Sequence, residues 1–148
     1  MGPWEKDGPD GRGRAMRGRL LIVEDDELAA ELNRRLVAQM GFEVCGVAAS
    51  ASEALRLAGQ EGPDFVLMDI GLAGSKDGIE VACELRRSLG IPSVFLTSQT
   101  EQETRLRAAR AAPLGFLVKP LVKNELLSCL GLEPEAGRWG LSMPGLAM

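Results

Sequence analysis

Apolar and polar positions alternate along this chain in a pattern typical of buried strands separated by amphipathic helices. Four short apolar runs each end in a polar or charged residue, and they cover residues 20–23, 65–68, 94–96 and 116–118. Runs of this length, rich in Val, Ile, Leu and Phe, are typical of strands buried on both faces of a parallel sheet. A fifth strand is predicted over residues 43–48.

Helices are predicted between these strands from capping signals and apolar spacing. They lie near residues 27–40, from residue 50 onward, near 77–88, from residue 100 onward and near 123–130. In the first helix, apolar side chains recur every four residues and predict one buried stripe. The stripe consists of Leu28, Leu32, Leu36 and Met40.

Polar residues at three helix starts predict the caps. Asp26 is placed to be the N-cap of the first helix. Ser50 with Glu53, and Thr100 with Glu103, have the spacing of capping boxes, in which a hydroxyl and a carboxylate accept hydrogen bonds from the first backbone N–H groups.

The alternation of five strands with five helices predicts an α/β fold with helices on both faces of a parallel sheet. Right-handed crossovers favour a flavodoxin-like, doubly wound, five-stranded sheet in the order 2-1-3-4-5. We expect one domain over residues 19–131. Residues 1–18 are rich in Gly, Pro, Asp and Arg and are predicted to be a disordered leader, and residues 132–148 a flexible C-terminal tail.

Composition narrows the possible partners. The 148 residues include 17 basic and 21 acidic side chains and no histidine, for a formal charge of −4. An acidic body argues against direct nucleic-acid binding, which depends on neutralising phosphates. No apolar stretch reaches the roughly 20 residues that span a bilayer, so we expect no membrane partner and a cytoplasmic location. The three cysteines lack metal-ligand spacing and are expected to be reduced, mostly buried small hydrophobes.

The strand ends carry the candidate chemistry. Ligands of open parallel sheets bind at the carboxyl ends of the strands, and the order 2-1-3 brings Glu24, Asp25 and Asp69 into one pocket. Three close carboxylates repel one another, and a divalent cation relieves that repulsion. Oxygen-only ligands favour Mg²⁺, and a carboxylate can act as the nucleophile that forms an aspartyl-phosphate. Lys119 is placed to supply an ammonium and Thr97 a hydroxyl to the phosphoryl oxygens.

Five segments, in order, match a known family. The chain resembles the receiver domain of two-component response regulators over about residues 19–131. The matching segments are residues 21–26, 66–70, 77–80, 95–98 and 115–120.

The resemblance implies roles for the residues of the pocket. Asp69 is similar to the phospho-accepting aspartate of that family. Asp25 resembles the acid that binds Mg²⁺ directly, and Glu24 the acid that holds the ion largely through water. The backbone carbonyl of Gly71 matches a third metal ligand, and Lys119 the lysine that contacts the phosphoryl group.

The resemblance also implies how a signal leaves the site. Thr97 matches the switch hydroxyl and Phe116 the switch aromatic. The implied partners are a histidine kinase or histidine phosphotransfer protein and an unknown downstream protein. A homodimer through the face of helix 4, strand 5 and helix 5 is a further expectation. The only catalysis implied is of the protein's own phosphorylation and dephosphorylation.

Two features depart from the family pattern. Residues 71–76 form a loop one residue longer than is common, and we expect it to be mobile. Gly71 offers no side chain to shield an acyl phosphate, whereas Gln99 is placed to reach the pocket.

Three other functions fit part of this pattern. A haloacid dehalogenase-type phosphatase also uses a strand-end aspartate, but it requires a second Asp where this chain has Gly71. A flavodoxin-like FMN carrier would need Ser, Thr and Gly after the first strand, where the acids from Glu24 onward repel a phosphate. A non-phosphorylated pseudo-receiver that serves dimerisation or docking is the alternative function.

Overall fold

The computed structural model describes residues 17–72 and 77–132. The leader up to residue 16, the tail from residue 133 and four loop residues, 73–76, lie outside the described residues. The expected disorder of the leader, the flexibility of the tail and the mobility of the loop therefore stay predictions.

Five strands and five α-helices alternate along the described residues, with one 3₁₀ turn before the last strand. They are β1 (Gly18–Val23), α1 (Glu27–Gln39), β2 (Phe42–Ala48), α2 (Ala51–Glu61), β3 (Phe65–Asp69), α3 (Gly78–Leu89), β4 (Ser93–Thr97), α4 (Gln102–Ala108), the 3₁₀ turn (Ala109–Ala111), β5 (Gly115–Val118) and α5 (Lys123–Cys129). The strands are parallel and ordered β2-β1-β3-β4-β5, which confirms the predicted flavodoxin-like topology.

Both faces of the sheet are covered. Alternate residues of β1 point to opposite sides, as strand geometry requires. Leu21 packs in the cluster formed with α2 and α3, while Leu20 packs in the cluster formed with α1 and α5. The β1–β2 register skips Cys45, so the outer strand β2 is irregular at that point. No helix among the described residues is long and apolar enough to span a membrane.

The predicted stripe of α1 is wrong at its first two positions. Leu28 is 68% exposed and Leu32 57% exposed, whereas Val37 and Met40 are buried. Four residues turn a helix about 40° beyond one full turn. Side chains at this spacing therefore drift around the helix, and here only those near its C-terminal end face the core. The residues that face the core instead follow the 3.6-residue period.

The caps agree with the sequence at two helices and disagree at a third. Asp26 caps α1 and Ser50 caps α2, as predicted. The Ser50–Glu53 box differs in its second half, because the Glu53 carboxylate accepts from the N–H of Ala49, the residue before the N-cap, at 2.8 Å. The predicted box of Thr100 and Glu103 is wrong. Helix α4 has Glu101 as its N-cap, without a side-chain capping bond. Its start one residue later leaves Thr100 outside the cap position.

The three cysteines are free and half-buried, so each is less enclosed than predicted. Burial raises the pKa of the Cys45 and Cys129 thiols, which keeps both protonated near neutral pH. A Cβ on Gly115 of β5 would collide with Cys129 of α5, so the last strand and last helix pack closely there.

Ala112 is strained and offers a stability test. It follows the 3₁₀ turn with φ 47° and ψ 58°, a left-handed conformation that costs an L-residue about 1–2 kcal/mol. We expect Ala112→Gly to raise the free energy of unfolding by about 0.5–1 kcal/mol, measured by urea denaturation. The control is Ala109→Gly at a right-handed position, where a loss of similar size is expected. A loss in both variants would contradict the strain argument.

Candidate functional site

The carboxyl ends of four strands bring the predicted site residues to one edge of the sheet. Asp69 and Thr97 are the last residues of β3 and β4, while Glu24 and Lys119 directly follow β1 and β5. Asp69 pairs in register with Leu96, the residue before Thr97, so the strand ends are level. The Lys119 N–H donates to the Thr97 carbonyl at 2.9 Å, which fixes the backbone where Lys119 leaves the sheet.

Three carboxylates form the acidic part of this site. Glu24, Asp25 and Asp69 each offer an oxygen, and these oxygens lie within 4.8 Å of one another. Glu24 and Asp69 are buried, with 4% and 8% exposure, whereas Asp25 is exposed at the rim. The acids that the sequence places at separate strand ends therefore share one pocket.

Lys119 supplies positive charge between two of the acids. Its Nζ lies 3.2 Å from Glu24 Oε1 and 3.5 Å from Asp69 Oδ1. The side chain is partly exposed, and the Lys119–Pro120 peptide is cis. The ammonium thus bridges the acids of β1 and β3 from the end of β5.

The electrostatics of Glu24 and Lys119 are linked. Burial, together with the charge of Asp69, raises the pKa of Glu24, and the Asp26 N–H and Lys119 only partly oppose this. Burial lowers the pKa of Lys119, but Asp69 and Glu24 outweigh that effect and hold it above its usual value. Lys119 therefore remains an ammonium, and the pocket favours a further cation.

Backbone N–H groups orient the reactive oxygens. The Gly71 N–H donates to Asp69 Oδ1 at 3.1 Å, and the Gln99 N–H donates to Thr97 Oγ1 at 2.9 Å. A hydroxyl that accepts such a bond keeps its own proton for another acceptor. Thr97 is 1% exposed, so this proton is shielded from bulk water.

Gly71 and Gln99 border the same pocket. A Cβ on Gly71 would lie 3.6 Å from Gln99 Nε2 and 3.8 Å from Asp69 Oδ1. Gln99 therefore reaches the pocket as expected. The metal-binding role of the Gly71 carbonyl stays a prediction.

Sequence reasoning missed how α3 supports Asp69. A Cβ on Gly78 would collide with the Asp69 carbonyl oxygen and would lie 2.8 Å from Ile70 Cα. Asp77 and Glu80 form a capping box, since the Glu80 N–H donates to Asp77 Oδ1 at 3.0 Å and the Asp77 N–H to Glu80 Oε1 at 3.1 Å. The acidic residues three apart were the signal that could have identified this cap.

The predicted switch aromatic packs at the side of the site. Phe116 is half-buried, with its ring centroid 6.4 Å from that of Phe95. The Arg105 guanidinium carbon lies over the Phe116 ring, 4.8 Å from its centroid, in a cation–π arrangement. No spacing pattern in the sequence predicted the contact between Arg105 and Phe116.

The donor set fits magnesium. All the candidate ligands are carboxylate oxygens, two of the three acids are buried, and Lys119 lies against both buried acids. A small divalent cation that binds oxygen and keeps several waters meets these conditions. Glu24, Asp25 and Asp69 would hold it.

Fold and site together define a class of protein. It has a doubly wound parallel sheet, an acidic pocket at the carboxyl ends of the strands, and one lysine that partly neutralises the pocket. A family model for the response regulator receiver domain matches residues 20–130, and the chain belongs to that family.

Relatives in bacteria share this domain. The chain is 34% identical over 103 residues to the transcriptional regulatory protein MalR of Bacillus subtilis, covering 68% of this chain and 43% of MalR. It is 32% identical over 118 residues to the transcriptional regulatory protein PdtaR of Mycobacterium tuberculosis, covering 80% of this chain and 57% of PdtaR. The chain thus spans about half the length of these relatives.

Solved structures show the same fold. The signal receiver domain of a modulated diguanylate cyclase from Desulfovibrio desulfuricans G20 superposes with a TM-score of 0.72 at 38% identity, over 77% of this chain and 90% of that one. The BeF3-activated N-terminal receiver domain of RstA from Klebsiella pneumoniae superposes with a TM-score of 0.69 at 27% identity, over 79% and 98%.

Proposed function

We propose that this receiver domain accepts a phosphoryl group on Asp69, with Mg²⁺ bound, and signals through a protein partner. The observation that carries the proposal is the shared pocket of Glu24, Asp25 and Asp69, with Lys119 Nζ within 3.5 Å of Asp69. Phosphoryl transfer needs positioning and charge neutralisation more than acid–base groups. This pocket supplies both without any histidine.

The chemistry divides among the residues of the pocket. One Asp69 oxygen forms a bond to phosphorus as the phosphorus–nitrogen bond of a donor phosphohistidine breaks, and the imidazole nitrogen keeps the electron pair. The Gly71 N–H fixes the orientation of the Asp69 carboxylate by its hydrogen bond to Oδ1. The Lys119 ammonium pairs with Asp69 before transfer and with the new phosphoryl oxygens after it. When bound, magnesium supplies further positive charge to those oxygens.

The switch roles of Thr97 and Phe116 are part of the proposal. A phosphoryl group adds charge and acceptor oxygens. The buried Thr97 hydroxyl, at the end of the strand beside Asp69, would donate its proton to one of them. Only contacts that differ between two states shift their populations. The Thr97 bond to phosphate is such a contact. Phe116 of the adjacent strand, which contacts Phe95 and Arg105, is placed to respond.

A groove beside the pocket supports a histidine kinase or histidine phosphotransfer protein as the donor. It has a volume of 430 Å³ and lies between α1 and the start of the segment after β5. Its lining includes Leu32, Leu36, Lys119 and Leu121. The exposed Leu32 of α1 therefore adds apolar surface to a groove that Lys119 of the acidic pocket also lines.

Exposed apolar side chains lie on or next to the three elements of the expected output face. Leu106 of α4, Val118 of β5 and Val122 before α5 are exposed by 65%, 40% and 44%. These apolar side chains favour a protein contact on this face, either with a downstream protein or with a second copy in a homodimer.

Incubation with Mg²⁺ and acetyl phosphate, followed by intact-mass measurement, tests the proposed function. We expect the protein to gain the mass of one phosphoryl group and Asp69→Asn to gain none, because an amide oxygen is a poor nucleophile. Asp64→Asn is the matched control at the other end of β3, where Asp64 accepts a bond from the Arg19 N–H, and it should gain the group normally. If the unaltered protein gains no mass, the docking module without phosphorylation becomes the better function.

A further inference from the structure

Helix α4 is weakly anchored to the body of the protein. It has seven residues, Gln102–Ala108, and only Ala108 is buried. Its N-cap makes no side-chain capping bond, and Leu106 is 65% exposed. Short helices gain their stability from tertiary contacts, so the few contacts that α4 does make decide where it sits.

Besides the buried Ala108, two arginines that are two positions apart attach the helix in different directions. Arg107 Nη2 donates to Asp77 Oδ2 at 2.8 Å, across 30 residues of sequence. Arg105 stacks over Phe116 of β5 at 4.8 Å. The helix is thus attached to the start of α3 on one side and to β5 on the other.

The partner of Arg107 is directly connected to the phospho-acceptor. Asp77 is the N-cap of α3, and the next residue, Gly78, donates its N–H to the Ile70 carbonyl at 3.0 Å and touches the Asp69 backbone. The contacts therefore run without a gap from Arg107 through Asp77 and Gly78 to Asp69. A shift of α4 relative to the start of α3 would lengthen or break the 2.8 Å ion pair.

We propose that the Arg107–Asp77 ion pair is a tether that holds α4 against the start of α3 while Asp69 carries no phosphoryl group. Arg107 is then a positioning residue that opposes displacement of α4 from the start of α3 when Asp69 is phosphorylated. This inference rests on the proposed function of Asp69. Both side chains are partly exposed, at 43% and 32%, which limits the effect of the pair to about two- to fivefold in an equilibrium or rate.

A double-mutant cycle tests the tether. Arg107→Gln removes the positive charge of the pair. Asp77→Asn removes the negative charge while keeping a good N-cap residue. We expect each variant to gain the phosphoryl group from acetyl phosphate about two- to fivefold faster, and the double variant to be no faster than either, because both remove one interaction. Arg110→Gln, an exposed arginine on the adjacent 3₁₀ turn, should leave the rate unchanged. Single-variant rates equal to that of Arg110→Gln, or effects that multiply in the double variant, would overturn the tether.

Hydrogen exchange of the α4 backbone, without any phosphodonor, separates this inference from the proposed function. Amides of residues 102–108 should exchange faster in Arg107→Gln and Asp77→Asn than in the unaltered protein, while those of α2 should not change. If the unaltered protein takes up no phosphoryl group, the proposed function fails, and the exchange rates still decide whether the ion pair holds α4. Unchanged exchange in both variants would rule the tether out.

Discussion

Replacing Lys119 by methionine is expected to slow phosphorylation of Asp69 by acetyl phosphate at least about 100-fold. The Nζ that lies 3.5 Å from Asp69 Oδ1 would no longer meet the negative charge that develops on the transferred group. Intact-mass time courses at fixed Mg²⁺ give the rate. A rate within about threefold of that of the unaltered protein would contradict the role assigned to this lysine.

The same variant should separate phosphorylation from metal binding. Lys119 also lies 3.2 Å from Glu24, so its ammonium repels any cation that enters the pocket. We expect Lys119→Met to bind Mg²⁺ at least as tightly as the unaltered protein by calorimetry. Lys119→Arg, which keeps the charge but changes its shape, is the matched control and should retain part of the rate.

Replacing Gly78 by alanine is expected to cost about 1–3 kcal/mol of the free energy of unfolding and to slow phosphorylation as well. The new methyl group would overlap the backbone carbonyl of Asp69. Because the backbone fixes the positions of both groups, either α3 or the strand that carries Asp69 has to move. Urea denaturation measures the first effect, and the acetyl phosphate assay the second.

Gly59→Ala is the control for that substitution. Gly59 lies within α2, and a Cβ there would have no neighbour within 4 Å. Alanine should therefore stabilise this helix by about 0.5–1 kcal/mol. A loss at Gly59 as large as that at Gly78 would show that close approach to Asp69 is not the cause.

The strand order and the pocket could be predicted from the sequence because both follow from simple rules. Apolar runs of strand length that alternate with helices leave few topologies, and four of the five strands end at a predicted site residue. Glu24, Asp69 and Lys119 therefore lie in contact, and Thr97 ends the strand beside Asp69. Their assigned chemical roles await the experiments above.

The contacts that attach the helices to the rest of the domain could not be predicted from the sequence in this way. The four-residue spacing in α1 suggested that Leu28 and Leu32 are buried, but the helical period turns both toward solvent. The ion pair between Arg107 and Asp77 joins residues 30 positions apart, and only the packed structure shows which of several arginines reaches that acid. Local spacing identifies elements, whereas partner choice between exposed charges depends on the final arrangement.

The outer strands of the sheet limit how copies of this chain can associate. One outer strand, β2, has a register that skips Cys45, and the other, β5, is only four residues long. Irregular and short edge strands are poor templates for backbone pairing with another molecule. Self-association of this domain is thus steered away from a continuous intermolecular sheet and toward contacts between side chains.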